Sequence, residues 1–400
     1  MAQARWVPDQ PKPTTPEKRN ARYVGLVAVI CFILIAVNVR IYLSQLPSTM
    51  NGRSDFRHLY VAGYILRTGQ ARELYNYDLQ RRLQGLLVGP EIREALLFNH
   101  AAFEAIAFVP FSFFPYRSAF IGFTLLNCLM LVVGVYLFRK CLLVWSLPAL
   151  IAAFAPVLYT LIFGQDSIAL LLLFLASWIC FQRGDEFSSG LWLGASCFKP
   201  QFALVAAIMF LLWRRWKLFL GIMLTGAILG GMSVLTVGIP GTLGYIQEVV
   251  FSMSTANAKY SIVPWHMPNV RGTSYFLAGG HEQPIVVLVI TALCFLWAAF
   301  RRPSFPLAVS IIGLLSYHTL MHDMIIWLIP LALILEGLSQ RECESPTAKA
   351  TIIVTALLGA EIAMLRGWSI FLFVPLVALM FVCATSDIET VLAHKSHSPS

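Results

Sequence analysis

Long apolar blocks recur along this chain, and they limit its fold more strongly than any other feature. The first is Val24–Leu43, and most are about 17 to 25 residues long, the length of a helix that crosses a hydrocarbon core of roughly 30 Å. The blocks are continuously apolar, whereas the strands of a membrane β-barrel alternate between apolar and polar residues. The sequence therefore predicts an all-α polytopic membrane protein.

Eleven further blocks predict a bundle of about twelve transmembrane helices. They occupy approximately residues 101–115, 118–138, 147–163, 166–182, 189–213, 218–237, 285–300, 305–321, 324–336, 350–365 and 368–384. The composition agrees, because 58% of the residues are hydrophobic and only 12% are charged. Such a chain is too apolar for a water-soluble domain of this length.

Basic clusters between the blocks orient the predicted bundle. Arg214 and Lys217 end one block and Arg301 ends another, and such clusters mark the cytoplasmic ends of membrane helices. With an even number of spans, both termini are expected in the cytoplasm. The polar loops 44–98 and 238–284 then lie outside the plasma or inner membrane.

The first half of the chain leaves two topologies open. Simple counting of spans places Arg139 and Lys140 outside, against the distribution of basic residues expected for a membrane protein. They lie inside if the block 101–115 only re-enters the membrane and the block 189–213 is split at Lys199-Pro200.

The chain is predicted to have one large domain with a tail at each end. Residues 1–22 contain four prolines and few apolar residues, so a disordered cytoplasmic tail is expected. Residues 23–385 form the transmembrane domain, and residues 386–400 form a second cytoplasmic tail.

The first extracytoplasmic loop, residues 44–98, is predicted to contain two amphipathic helices. Apolar residues at helical spacing predict the first helix from Asp55 to Gly69. Asp78 is expected to cap the second helix, which carries a stripe of leucines. Helices of this kind lie along a membrane surface.

Asp55 is the leading candidate for chemistry, because it follows the first block in a chain that otherwise avoids charge. Its neighbours include Arg53, Arg57 and His58. A carboxylate beside these cations is suited to accept a proton from a hydroxyl group while the cations hold a phosphate. The alternative is a structural aspartate that caps the following helix.

Histidine and acidic residues at membrane depth are further candidates, because such groups are costly to bury. His100 and Glu104 lie one helical turn apart, and either bind a sugar hydroxyl or pair with each other. The spacing of His318 and His322 places both rings on one helical face. With Asp323 they are expected to bind a phosphate or sugar rather than a metal, because no third ligand completes a metal motif.

Arg271, Lys199 and Gln165 complete the set of polar candidates. The guanidinium of Arg271 suits a phosphate; the alternative is a loop arginine that extends to lipid headgroups. Lys199 interrupts an apolar block and is expected to bind a phosphate, while Gln165 and Asp166 are expected to support the site.

The sequence also limits the partners. It contains neither a phosphate-binding Gly-x-x-x-x-Gly-Lys-Ser/Thr loop nor a dinucleotide-binding Gly-x-Gly-x-x-Gly after a strand. The formal net charge of +9 is spread over short clusters between apolar blocks, so membrane lipids are expected as partners and nucleic acid is not.

Seven short segments occur in a characteristic order. They are Asp55-Phe56-x-x-x-Tyr60-x-Ala62, Leu74-Tyr75, His100-x-x-Phe103-Glu104, Gly164-Gln165, Lys199-Pro200-Gln201, Pro268-Asn269-x-Arg271-Gly272 and Tyr317-His318-x-x-x-His322-Asp323. In order and spacing the chain resembles glycosyltransferase family 87 of the GT-C superfamily over most of residues 24–384. It departs from the family at Ala101-Ala102, where relatives often have two prolines.

The resemblance implies a GT-C-like fold and an inverting transferase. Such an enzyme moves a sugar, often mannose, from a polyprenyl-phosphate carrier to a lipid or glycan acceptor on the extracytoplasmic side. The resemblance implies Asp55 as the general base, includes Asn269 among the substrate-binding residues, and requires no nucleotide or other cofactor; the use of a divalent metal stays open.

A transporter or flippase of lipid-linked sugars is the alternative function. It would share a polar groove and cations with an enzyme, but it needs no base. Transporters are often built from two related halves, and no equal-length internal repeat is visible in this sequence.

Overall fold

The computed structural model describes residues 16–90, 92, 95–142, 146–247, 264–340, 343 and 345–385. The described part of the chain contains seventeen α-helices and no strand, so the all-helical class is confirmed. The helices are α1 (Pro16–Met50), α2 (Phe56–Arg67), α3 (Tyr77–Leu87), α4 (Ala102–Phe108), α5 (Tyr116–Cys141), α6 (Leu147–Ala153), α7 (Ala155–Phe163), α8 (Ser167–Gln182), α9 (Glu186–Gly194), α10 (Pro200–Leu212), α11 (Trp216–Gly244), α12 (Val270–Leu277), α13 (Pro284–Ala299), α14 (Phe305–Leu315), α15 (Leu328–Ser339), α16 (Pro346–Arg366) and α17 (Ile370–Thr385). Residues 1–15 and 386–400 of the predicted tails, and residues 248–263 of the second loop, lie outside the described residues.

Many of these helices are apolar enough to lie in a membrane. Five helical segments have the length and hydropathy of a membrane span: Asn20–Met50, Tyr116–Cys141, Trp216–Gln247, Met321–Ser339 and Pro346–Arg366. Five shorter apolar helices, α8, α10, α13, α14 and α17, accompany them. The chain is therefore a polytopic membrane protein, and the number of about twelve spans stays a prediction.

The first helix is longer than predicted at both ends. It begins at Pro16 rather than Val24 and ends at Met50 rather than Leu43. Proline is well tolerated in the first turn of a helix, where its missing N–H has no partner to lose. Residues 16–22 are thus helical rather than disordered, and the first loop begins after Met50.

Three predicted blocks between residues 101 and 213 are interrupted in the structure. The block 101–115 contains only the seven-residue α4 and a short 3-10 helix at Pro110–Phe113, which is too short to cross a bilayer. The block 147–163 breaks at Phe154, and the block 189–213 breaks at Lys199, in each case near a proline that starts the next helix. The helix boundaries in the blocks 101–115 and 189–213 therefore agree with the re-entrant and split alternative, whereas the break at Phe154 was not predicted.

Both helices predicted in the first loop are present. The first, α2, ends near Gly69, which has a φ of +75°. The second, α3, is capped by the Asn76 side chain, which accepts a hydrogen bond from the Leu79 N–H. The prediction that Asp78 caps α3 was wrong, because Asn76 lies two residues earlier at the position where the chain is still extended.

Close packing of α2 fixes the position of the residues that precede it. Gly63 lets α2 approach α4, since a Cβ atom at this position would lie 2.4 Å from the Phe108 carbonyl oxygen. The Phe56 ring is fully buried and stacks on the Phe123 ring with centroids 5.1 Å apart. Asp55 directly precedes Phe56, so this packing fixes the position of its backbone.

Candidate active site

A cavity of about 240 Å³ lies where the ends of several helices meet. Seven of the residues predicted for the site line this cavity: Asp55, His100, Gln165, Lys199, His318, His322 and Asp323. Glu104, Asn269 and Arg271 are not among its lining residues. Residues that are far apart in the sequence thus meet around one space.

Asp55 binds another predicted site residue at the cavity wall. Its Oδ2 atom accepts a hydrogen bond of 2.7 Å from Gln165 Nε2. Although Asp55 occupies the first position before α2, its side chain makes no capping hydrogen bond. The helix-capping alternative is therefore not the arrangement seen, and the carboxylate faces the cavity.

Gly164 explains how Gln165 reaches Asp55. It ends α7 with a φ of +62°, a left-handed conformation that glycine adopts at little cost. A Cβ atom here would lie 2.7 Å from the Phe56 Cβ. Only glycine allows α7 to end directly against the start of α2.

Lys199 lies between two carboxylates at the break between α9 and α10. Its Nζ atom is 2.8 Å from Asp166 Oδ1 and 2.5 Å from Asp323 Oδ1, and it donates to Ser167 Oγ at 3.0 Å. All three charged side chains are buried. The lysine predicted to bind a phosphate is thus held by two acidic partners.

His318 and His322 both line the cavity. Their spacing predicted that they share one helical face, and this prediction was wrong. Helix α14 ends at Leu315, His318 lies in an irregular segment, and His322 belongs to a 3-10 helix, Met321–Trp327. The helix does not continue because the Ser316 carbonyl has a tertiary partner: it accepts a hydrogen bond of 2.8 Å from Asn269 Nδ2. This contact favours a turn after Leu315 over a further helical turn.

Asp323 organises this irregular segment. Its Oδ2 atom accepts from the Leu320 N–H at 3.0 Å, and its Oδ1 atom accepts from Ser167 Oγ at 3.0 Å. His322 Nε2 lies 3.5 Å from the same Oδ1 atom. One carboxylate thus connects the histidine segment to Lys199.

His100 and Glu104 pair with each other, one of the two alternatives left open by the sequence. His100 Nδ1 lies 2.6 Å from Glu104 Oε2 and 3.4 Å from Asp166 Oδ2. Burial alone lowers the pKa of His100, but the two neighbouring carboxyl groups together raise it to about 10. These three residues are close enough to share one metal ion.

Asn269 and Arg271 lie beside the cavity. Asn269 caps α12, because its Oδ1 atom accepts from the Gly272 N–H at 2.8 Å. Arg271 is buried, donates to Glu282 Oε1 at 2.6 Å, and stacks on the Tyr317 ring with its guanidinium carbon 4.1 Å from the centroid. Since Tyr317 lines the cavity, Arg271 is separated from it by one ring.

Three residues near the site were missed by the sequence argument: Ser167, Gln201 and Glu282. Gln201 Nε2 donates to the His318 carbonyl at 2.9 Å, and the other two bind Lys199 and Arg271. Gln201 belongs to the Lys199-Pro200-Gln201 segment and Ser167 follows Gly164-Gln165-Asp166, so adjacency was an available signal. No pattern in the sequence indicated Glu282.

Comparison with protein families gives a match that agrees with this geometry. The family model "Glycosyltransferase family 87" matches residues 99–322, more than half of the chain. Comparisons with curated proteins and with solved structures found no significant match. The matched region includes eight of the ten predicted site residues, all except Asp55 and Asp323, which directly follows its last residue. The chain belongs to glycosyltransferase family 87 and is a membrane glycosyltransferase.

Proposed function

We propose that the chain transfers a hexose, mannose in the first instance, from a polyprenyl-phosphate carrier to a hydroxyl group of a lipid or glycan acceptor. The observation that supports this proposal most directly is the position of Asp55. Its carboxylate lines one cavity together with His318 and His322, which come from more than 250 residues further along the chain. The proposed base and the proposed hydrogen-bond donors for the phosphate therefore line the same cavity.

In the proposed reaction Asp55 takes the proton of the acceptor hydroxyl. The acceptor oxygen bonds to the anomeric carbon while the bond from that carbon to the phosphate oxygen breaks. The electron pair leaves with the polyprenyl phosphate, and attack from the opposite side inverts the configuration. Gln165 orients the base through its 2.7 Å hydrogen bond to Asp55 Oδ2.

The leaving phosphate needs positive charge or hydrogen-bond donors more than it needs an acid. His318 and His322 are the proposed donors on the cavity wall. Arg271 is proposed to add positive charge from behind Tyr317, where its guanidinium stacks on the ring. Lys199 contributes mainly by holding Asp166 and Asp323 in place.

The proposed orientation places the cavity on the extracytoplasmic side and both termini in the cytoplasm. Helix α11 supports it, because Arg214 and Arg215 precede this helix and Tyr245, which lines the cavity, follows it. The basic cluster and the cavity thus lie at opposite ends of a long apolar helix. Basic clusters favour the cytoplasmic side.

Transfer by the purified protein in detergent tests the proposal. The protein is incubated with radiolabelled polyprenyl-phosphate mannose and a panel of lipid and glycan acceptors, and GDP-mannose serves as the control donor. Product from the lipid-linked donor alone is expected, with inverted anomeric configuration. Since no sealed membrane is present, product also excludes a pure transporter. Transfer from GDP-mannose but not from the lipid-linked donor would refute the donor class.

A further inference from the structure

The positively charged groups that line the cavity, Lys199 and His100, are already paired with carboxylates. Lys199, the lysine that lines the cavity, lies between the carboxylates of Asp166 and Asp323. Asp55 adds another negative charge to the same wall. A phosphate that approaches these carboxylates would be repelled unless a further positive charge enters with it or before it.

A cluster next to Lys199 has the donor atoms of a metal site. One atom from each of His100, Glu104 and Asp166 lies within 4.8 Å of the other two. Ligands of a single ion are roughly 3 to 4.4 Å apart when each metal–ligand bond is about 2.1 to 2.2 Å, so small movements of these side chains suffice. All three residues are buried, and Glu104 Oε1 has no hydrogen-bond partner within the described part of the chain.

His58 gives an independent indication of a ligand. Its side chain is only 5% exposed, yet neither ring nitrogen has a hydrogen-bond partner within the described residues. Its ring centroid lies 5.5 Å from that of His100, and both rings line the cavity. A buried imidazole with two unsatisfied nitrogens is costly. His58 lies outside the group of three residues whose donor atoms are within 4.8 Å of one another, but after a side-chain movement a metal ion held by that group would give one of its nitrogens a partner.

We propose that His58, His100, Glu104 and Asp166 bind one divalent cation of the Mn²⁺ class at the wall of the cavity. Two imidazoles with two carboxylates suit a first-row transition ion better than calcium. Such ligands bind a metal ion in their deprotonated forms. Its remaining coordination positions face the cavity.

The role of this ion rests on the proposed function. Bound there, it supplies the positive charge that Lys199 cannot, and it binds an oxygen of the donor phosphate. Asp55 acts on the acceptor side of the proposed reaction, where it removes the hydroxyl proton. The ion therefore accounts for charge on the leaving-group side of the reaction.

Metal binding is measured on the purified protein without any donor. The full chain in detergent is treated with EDTA, exchanged into chelator-free buffer and titrated with Mn²⁺, and free Mn²⁺ is followed by its EPR signal. One ion per chain is expected, and Glu104→Gln is expected to weaken binding at least tenfold. His58→Phe tests the second imidazole and is expected to weaken binding as well.

Glu186→Gln is the matched control, because it removes the same charge from a carboxylate that pairs with Arg215 instead. Its Mn²⁺ affinity is expected to equal that of the wild type. Folded wild-type protein that binds no stoichiometric Mn²⁺ overturns the site, and so does unchanged affinity in folded Glu104→Gln. Binding without sugar transfer would instead leave the metal site intact and contradict the proposed function.

Discussion

Replacing Lys199 by methionine tests the most highly charged part of the structure. The change removes an ammonium group that lies 2.8 Å from Asp166 Oδ1 and 2.5 Å from Asp323 Oδ1. The two carboxylates are 5% and 2% exposed, so little water reaches them to replace the lost partner. Breaking a buried ion pair in this way costs about 3 to 5 kcal/mol, and we expect the free energy of unfolding to fall by that amount.

The measurement is equilibrium unfolding in mixed micelles with increasing SDS, followed by tryptophan fluorescence. The double variant Lys199→Met/Asp323→Asn is expected to recover part of the loss, because one of the two stranded charges is removed. Lys217→Met is the matched control, since that lysine is exposed and a surface substitution changes stability by about 0.5 kcal/mol or less.

The refuting result follows from the role that the sequence predicts for Lys199. A lysine whose main task is to bind the donor phosphate would tolerate replacement with little effect on folding. If Lys199→Met lost sugar transfer while its free energy of unfolding changed by less than about 1 kcal/mol, the ion pairs would be weak and the phosphate-binding role would be correct.

Two further predictions concern the packing around the site. Gly272→Ala is expected to lower the free energy of unfolding by about 1 to 3 kcal/mol, because its Cβ would lie 1.9 Å from the Met267 carbonyl oxygen. Gly230→Ala is the control and should be neutral or stabilising, because a Cβ at this position has nothing within 4 Å. Equal effects of the two substitutions on unfolding in SDS would contradict this account. Gln80→Ala is expected to speed proteolysis of residues 88–99, because the buried Gln80 amide binds the Leu74 carbonyl and the Phe98 N–H. Unchanged cleavage kinetics by mass spectrometry would show that this amide does not hold the segment.

Much of the helical architecture could be predicted from the sequence, because apolar length and proline position are local properties. Pro200 marks the break before α10, and Gly69 the end of α2. The extension of α1 to Met50 was missed, because polar residues after Leu43 look like a loop although they continue the helix. Local composition did not distinguish a loop after Leu43 from a continued helix.

The site was harder to predict, because its charges are compensated by residues far away in the chain. Lys199 was correctly marked as unusual inside an apolar block, but its partner Asp323 lies 124 positions away. Likewise, nothing local paired Arg271 with Glu282. Cost of burial identifies which groups need a partner, and only the folded chain shows which partner each one has.

The resemblance to the family gave information that periodicity did not. Helical spacing placed His318 and His322 on one face, whereas the segment between α14 and the following 3-10 helix is irregular. The family motif carries no such geometric assumption. It grouped these histidines with Gln165 and Asp55, and all four line the cavity.

Turnover of Asp55→Asn is the most direct test of the central claim that this residue is the general base. Asparagine keeps an oxygen that can accept from Gln165 Nε2, the partner 2.7 Å away in the wild type, but it cannot take a proton from the acceptor. With purified protein, radiolabelled polyprenyl-phosphate mannose and the acceptor that gives product with the wild type, turnover is expected to fall roughly 10² to 10⁴-fold while the unfolding transition is unchanged. Near wild-type turnover by folded Asp55→Asn would contradict the account.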